Sequence, residues 1–215
     1  MSAPRTVSRG MPGPLPPGER VLWQGSPDAR VLARRTFHIG KLALYFGILV
    51  AWVAADATMR GEGAMSAAAS FGRAAAAAGA VLAIVAAYAW AVARGSTYTV
   101  TDRRVVVRIG LALPVTINLP FARIDTAAVR AHADGSGDIS LALHARDRLA
   151  YVVLWPHVRP WRFARAQPTL RGLADVQPVA TLLARALAAS ADMPAPVLHG
   201  DVSAGAAVPQ LPMPA

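Results

Sequence analysis

One stretch limits the possible folds of this chain more than any other. "AAAAAGAVLAIVAAYAWAVA", Ala74–Ala93, is 20 residues long and carries no charge. At 1.5 Å rise per residue, about 20 apolar residues cross the hydrocarbon core of a bilayer. Arg73 and Arg94 bracket the run, and Tyr88 and Trp90 sit near one end, as in an interfacial aromatic belt. A second apolar segment, "KLALYFGILVAWVAADA" (Lys41–Ala57), has an uncharged core of 14 residues, Leu42 to Ala55. That is short for a crossing, but Lys41 can snorkel, and Ile39, Gly40 and Ala57 lengthen the helix. Either segment alone could be the buried core helix of a soluble protein. Together they support one another, because a single span would leave the other exposed. The sequence predicts a transmembrane hairpin over 38–94, with spans at 38–57 and 74–93.

Composition agrees. Hydrophobic residues make up 54% of the 215 and charged residues 16%, against about 45–50% and about 25% in soluble domains. The net charge of +10 is almost all arginine, since Lys41 is the single lysine. Such charge suits nucleic acid, anionic lipid or an acidic partner, and an arginine-rich, GC-rich genome would also produce it. The absence of cysteine excludes disulfides, thiolate metal sites and cysteine nucleophiles. Seven basic residues precede or start the first span, thirteen lie between Arg94 and Ser190, and the loop "DATMRGEGAMSAAASFGR" is neutral. The positive-inside rule then puts both termini in the cytoplasm of a multi-pass inner-membrane protein.

Residues 1–18 contain the Pro/Gly tract "MPGPLPPG" and read as a flexible lead-in; the first 37 residues have no apolar core of a signal peptide. Residues 19–37 read as an arm with an interfacial helix. Ser26 would cap it and Pro27 would take its first position, with Val31, Leu32 and Phe37 inward and Arg30, Arg34 and Arg35 at the headgroups. Small residues recur every fourth position, at Gly47, Ala51 and Ala55 and at Ala75, Gly79, Ala83, Ala87 and Ala91. They predict a close antiparallel helix pair, with a spare small face open to a partner helix.

From 95 to 190 apolar runs give way to alternation. "STYTVTDRRVVVRIG" reads as strand, turn, strand; "VTINLPFARID" adds a third strand; "AAVRAHADGSGDISLAL" is a hairpin turning at "DGSG"; "RLAYVVLW" reads as another strand. An amphipathic helix over Asp175–Ser190 would present Val179, Leu182, Leu183, Ala186 and Leu187 to the sheet. The fold class is therefore α+β: a two-helix transmembrane hairpin followed by an antiparallel sheet or barrel closed by a C-terminal helix. Residues 191–215 form an Ala/Pro-rich tail expected to be disordered.

"LWPHVRPWRFARAQPTLRGL" (Leu154–Leu173) carries the main binding signal. It reads as a Pro-stiffened connection, with Arg159, Arg162 and Arg165 at three-residue spacing, which an extended three-fold helix projects alike. Trp155, His157, Arg159, Trp161, Arg162, Phe163 and Arg165 are candidate docking residues, because Trp and Arg anchor interfaces. Alternatively the aromatic residues plug the sheet, or the arginines meet anionic lipid. Nucleic acid is not expected, since no groove-entering helix accompanies the charge.

"YTVTDRRVVVRIG", "INLPFARIDTAAV" and "GSGDISLAL" resemble the bacterial pleckstrin-homology (PH) domain. "GERVLWQGSPDARVLARRTFHIGKLALYFGILVAW" and the "LWPH-RPWR" block are similar to PuhB-type photosynthetic complex assembly proteins of anoxygenic phototrophic bacteria, over roughly residues 18–190. The resemblance implies a seven-stranded sheet with a C-terminal helix, an intracytoplasmic-membrane location, and a role in building the reaction-centre and light-harvesting core. Reaction-centre and light-harvesting 1 subunits and membrane lipids would be the partners, and homo-oligomers stay open. The alternative is a generic PH-domain membrane scaffold or anionic-lipid binder.

No enzymatic site is expected. His38, His132, His144, His157 and His199 show no metal-ligand spacing, although His132 and His144 could face each other across the hairpin. "DGSGD" (Asp134–Asp138) lacks the remaining features of a calcium loop and reads as a turn. No cofactor is expected. A transient bacteriochlorophyll contact at His38 is conceivable, but Arg34 stands where antenna helices usually place alanine. Asp56 reads as a helix-end residue.

Overall fold

The computed structural model covers residues 13, 15–110, 114–144, 150–161, 163, 165–191 and 199–200. Residues 1–12 and 14 of the expected flexible lead-in at 1–18, and most of the expected tail at 191–215, lie outside the described residues. The first element, β1 (Val21–Gly25), is a strand within the expected arm. Asp28 then caps a one-turn helix, α1 (Ala29–Val31), its carboxylate accepting from the backbone N–H groups of Arg30 and Val31 at 2.7 and 3.0 Å. The cap thus falls two residues after the expected Ser26, on a residue whose charge also suits the positive end of a helix. A π-helical turn over Leu32–Thr36 follows, and His38, in the left-handed conformation (φ 52°), precedes α2. The expected interfacial helix is therefore short, and its buried Leu32 packs on another helix instead of lipid.

Two long helices come next. α2 (Ile39–Met59) has 21 residues and α3 (Ala64–Gly95) has 32, and both are long and apolar enough to cross a membrane. They pack antiparallel across a tight turn, where Arg60 pairs with Asp56. The seam is formed by partly buried Leu42, Phe46, Val50 and Val53 of α2 and by Ala74, Ala78, Leu82 and Val85 of α3. This i+3/i+4 spacing interdigitates side chains as knobs and holes. The expected small-residue seam is corrected here. Gly47, Ala51, Ala55, Gly79, Ala83 and Ala87 are exposed, and of the candidates other than Ala91 only Ala75 is partly buried. Leucine, valine and phenylalanine fill the space between the helices, and the small face turns outward.

α3 passes through Ser96 directly into β2 (Thr97–Thr101). β3 (Arg104–Ile109) and β4 (Val115–Pro120) continue the meander, a 3₁₀ turn over Phe121–Arg123 follows, and β5 (Ile124–Ala131) and β6 (Gly137–Leu143) form the expected hairpin. Then come the single turn α4 (Tyr151–Leu154), β7 (Thr169–Leu173), α5 (Val176–Ala191) and a two-residue β8 (His199–Gly200). One sheet has the order β1-β2-β3-β4 and the other β7-β6-β5-β8. Seven strands of five to eight residues are present among the described residues, split between two sheets. Two apolar helices, antiparallel sheets and a C-terminal helix are consistent with a PH-like fold.

β1 and β2 are antiparallel neighbours, with Gly25 opposite Tyr98, yet the whole helix pair lies between them in sequence. The hairpin is thus an insertion within a β1–β2 connection. Glu19, whose side chain is almost fully buried, holds the arm in place: Arg104 donates to both its carboxylate oxygens at 2.7 Å, a bidentate fork.

The core follows strand alternation. Val105, Val107 and Ile109 of β3 face inward beside Ile117 and Leu119 of β4, and meet Ile139 and Leu141 of β6. α5 covers them with Val176, Val179, Ala180, Leu183 and Ala186, while Leu182 and Leu187 sit partly buried at its edge. Of the expected strand "RLAYVVLW", Tyr151–Leu154 form the α4 turn instead, and Arg148 and Leu149 lie outside the described residues. β6 is paired on both edges, by β5 and β7, and this segment crosses as a helical turn that buries Leu154.

Gly137 marks the closest approach. A Cβ there would lie 2.3 Å from the Arg130 carbonyl oxygen and 2.8 Å from Val176 Cγ1. Gly137→Ala is expected to destabilise the domain by about 1–3 kcal/mol through overpacking, whereas Gly79→Ala, with open space at the same test, gains helix propensity of up to about 1 kcal/mol. Thermal unfolding of the two variants in one detergent distinguishes them; equal midpoints would contradict this packing.

Candidate functional site: the loop and groove beside the helix pair

The stretch after α4 is organised around a buried imidazole. His157 Nδ1 lies 2.6 Å from the Tyr98 hydroxyl and Nε2 lies 2.9 Å from Ser96 Oγ. Either hydroxyl can donate or accept, so a neutral ring with one N–H satisfies both contacts. Tyr98 also accepts from the Arg171 N–H at 3.1 Å. Burial, with the Arg171 charge as a lesser cause, pushes the His157 pKa down to about 3. Burial likewise pushes the Tyr98 phenol far up. Both groups are therefore neutral and structural. No solvent reaches a proton here, so the trio does not constitute acid–base machinery.

His157 also pins the loop that follows. Its carbonyl accepts from the Thr169 N–H at 2.9 Å, Val158 bridges to Pro168, and the Arg159 N–H donates to the Gln167 carbonyl at 3.0 Å. Residues 159–167 are thereby pinched into a closed loop. The expected three-fold extended rod is corrected by this closure: Arg159 turns to Gln167 (3.3 Å), Arg165 is exposed, and Arg162 lies outside the described residues. At the tip, Trp161 is 86% and Phe163 63% exposed, with ring centroids 6.4 Å apart. Phe163 leans on Tyr151 at 4.6 Å. The aromatic residues therefore do not plug the sheet; Leu154, His157 and Val158 do. Trp161 is held at φ 63°, a conformation that costs a bulky residue about 1–3 kcal/mol.

Trp155 joins the loop to the helix pair. It stacks on Tyr88 of α3 at 6.0 Å and meets Phe37 edge-on at 6.4 Å, while Phe37 and Tyr88 meet at 5.3 Å. Beside this trio, Leu32 is buried against Ala89, Val92 and Ala93, and Asp28 N–H donates to the Gly172 carbonyl at 2.7 Å. The segment between β1 and α2 is thus fastened to both α3 and β7.

A groove of ≈ 1020 Å³ opens between that segment, the outer face of β5-β6-β7 and the pinched loop. Arg34, Arg35, Lys41, Arg130, Arg159 and Arg171 line it, and Asp138 is the acid among its lining residues. Four of the candidate docking residues, Trp155, Arg159, Trp161 and Phe163, line it; sequence reasoning missed the rest of the site, because its residues come from separate segments. His38 and His132 also line it. His132 and His144 fall at opposite ends of the β5-β6 hairpin, so they do not face each other, and His144 lies 4.0 Å from Asp125. No group of three His, Cys, Asp or Glu residues suited to a metal occurs among the described residues. "DGSGD" is the hairpin turn: Asp134 accepts from the Ser136 hydroxyl at 2.6 Å, and this bond, aided by Arg35, holds its carboxyl at about 2.

The chain matches the family described as Bacterial PH domain over residues 39–187. It is 38% identical over 204 residues to a Rhodobacter capsulatus protein named "Uncharacterized 23.7 kDa protein in puhA 5'region", with 93% of this chain and 94% of the relative covered. No solved structure matches.

The depressed His157 pKa sets a pH dependence. The unfolded ring takes up a proton near pH 6.5, and the folded ring only near 3. Stability is therefore complete above pH 6.5 and falls as the pH drops toward 3, by up to about 1.4 kcal/mol per pH unit. His157→Gln should flatten the pH profile of thermal unfolding in that window; an unchanged slope would show that other groups set it.

Proposed function

The chain belongs to the bacterial PH-domain family, and from that membership we propose that it is a membrane-anchored docking factor, acting without catalysis in assembly or stabilisation of the photosynthetic core complex. The observation that carries the docking role is the aromatic tip, Trp161 and Phe163, exposed on a loop whose stem is fixed by backbone hydrogen bonds. Exposed Trp and Phe beside arginine have the composition of interface hot spots. The photosynthetic partner class is suggested by the relative, whose name puts it in the region 5′ of puhA, a photosynthesis gene. Reaction-centre and light-harvesting 1 subunits are the proposed partners.

In this reading α2 and α3 cross the inner membrane as a hairpin. Trp52 and Ile84 are each 68% exposed, an apolar surface that lipid would cover. β1 and β2 pair on one side of the helices, so the sheets and both flanks of the hairpin share a side. The basic residues of those flanks make it the cytoplasmic side. The exposed small face of Gly47, Ala51, Ala55, Gly79, Ala83 and Ala87 is then available to a neighbouring helix.

The absence of native cysteine makes the topology directly testable. Ala64→Cys, at the start of α3, should react with a membrane-impermeant maleimide from the periplasmic side, and Ser190→Cys, near the end of α5, only after permeabilisation. The reverse pattern would invert the topology. For docking, Trp161→Gly relieves the left-handed strain, so the protein should persist at its normal level. Co-purification of reaction-centre or antenna polypeptides from mild-detergent extracts should drop at least about tenfold, the loss of one interface anchor. Undiminished recovery at equal bait level would sink the docking role of the tip.

A further inference from the structure

We propose that the groove between the Arg34–Lys41 segment, the outer face of β5-β6-β7 and the 159–167 loop binds an acidic polypeptide segment of the partner, with Trp161 and Phe163 seating its apolar residues. This deepens the docking role proposed above and rests on it. The charge is strongly one-sided: six cations face one carboxylate. Arg35 is engaged by Asp134 and Arg159 by Gln167. Arg34, Lys41, Arg130 and Arg171 have no carboxylate within salt-bridge distance among the described residues.

A second observation is independent of net charge. Two buried nitrogens lack any hydrogen-bond partner, Arg171 Nε and His132 Nε2, and both residues line this groove. Buried polar groups are ordinarily satisfied, because leaving one unpaired forfeits its hydration without return. An incoming carboxylate supplies the acceptor that Arg171 lacks, and the planar guanidinium fork matches it. His132 Nε2 meets the same acceptor when it carries the proton.

The size of the site argues for polypeptide. Its ≈ 1020 Å³ reaches the top of the range of about 300–1,000 Å³ that drug-sized ligands occupy. One phosphodiester headgroup would meet a few of these cations and leave the exposed aromatic rim unused. A segment carrying several carboxylates, with apolar residues among them, meets both. Such a charge match also speeds encounter and rejects basic partners.

The test uses the purified full-length chain in non-ionic detergent and a fluorescein-labelled synthetic peptide of Glu, Asp and Leu, read by anisotropy. The acidic peptide should bind, and more weakly as ionic strength rises. Its Gln/Asn counterpart should bind at least about tenfold more weakly. Arg130→Gln with Arg171→Gln should cost a similar factor. Arg34→Gln with Lys41→Gln, both at exposed positions, gives a second reading that does not depend on the half-buried Arg171 tolerating change. Arg185→Gln on α5 should have no effect. Equal binding of the acidic and amide peptides, or unaltered binding by the Arg34/Lys41 variant, overturns the proposal. So does displacement of the peptide by soluble dihexanoylphosphatidylglycerol but not its phosphatidylcholine counterpart, which would assign the groove to lipid headgroups. Displacement by inorganic phosphate at constant ionic strength would assign it to a free anion and overturn it equally. Peptide binding without photosynthetic subunits in the co-purification keeps the groove and discards only that partner class.

Discussion

The buried imidazole of His157 holds the molecule together at its least protected point. α3 becomes β2 with one residue between them, and that residue, Ser96, is hydrogen-bonded to the ring. The other nitrogen reaches Tyr98, the next inward side chain but one along the chain. The backbone of the same histidine closes the loop that carries Trp161. One neutral side chain thereby ties the long helix, the first sheet and the exposed tip into a single body. A charged ring in this place would lose its hydration and face the Arg171 charge, and burial is the larger of these two causes.

Around that joint, apolar and charged surfaces are segregated. The helix pair has an outward face of Leu44, Ile48, Trp52 and Ile84, which only an apolar environment or another protein can cover. Three arginines of the sheet domain, Arg130, Arg159 and Arg171, line the groove beside the start of α2. Tyr88, Phe37 and Trp155 stand where the two surfaces meet. Their rings are apolar in body, and they stack on one another, which suits a boundary between two solvents.

The features legible in the sequence were those governed by local periodicity. The uncharged run before Arg94, the alternation on both sides of "DGSG" and the amphipathic pattern after Asp175 each specify an element without outside help. The missed elements depend on distant partners. β1 reads as neither strand nor helix in "VLWQG", because its ladder partner comes after both long helices. β7, "TLRGL", is short and follows a Pro-rich run, and it is extended because β6 offers an open edge. "YVVL", rich in β-branched residues, is a helical turn in a chain where both edges of β6 are taken by β5 and β7. Of the candidate docking residues, Trp161 and Phe163 are exposed, whereas His157 is corrected to a buried, structural residue, because its ring is held between Ser96 and Tyr98. The groove was not legible, since Arg34, Lys41, Arg130 and Arg171 converge only through the tertiary fold.

The insertion of the helix pair between β1 and β2 also orders events in time. During synthesis β1 emerges first, and the strand it must pair with emerges only after both helices have left the ribosome. Until then Glu19 has no Arg104 and Trp23 has no core. The β1–β2 pair can close only around two long helices that have already been made. A molecule of this design therefore displays its completed surface only after the helix pair has been made.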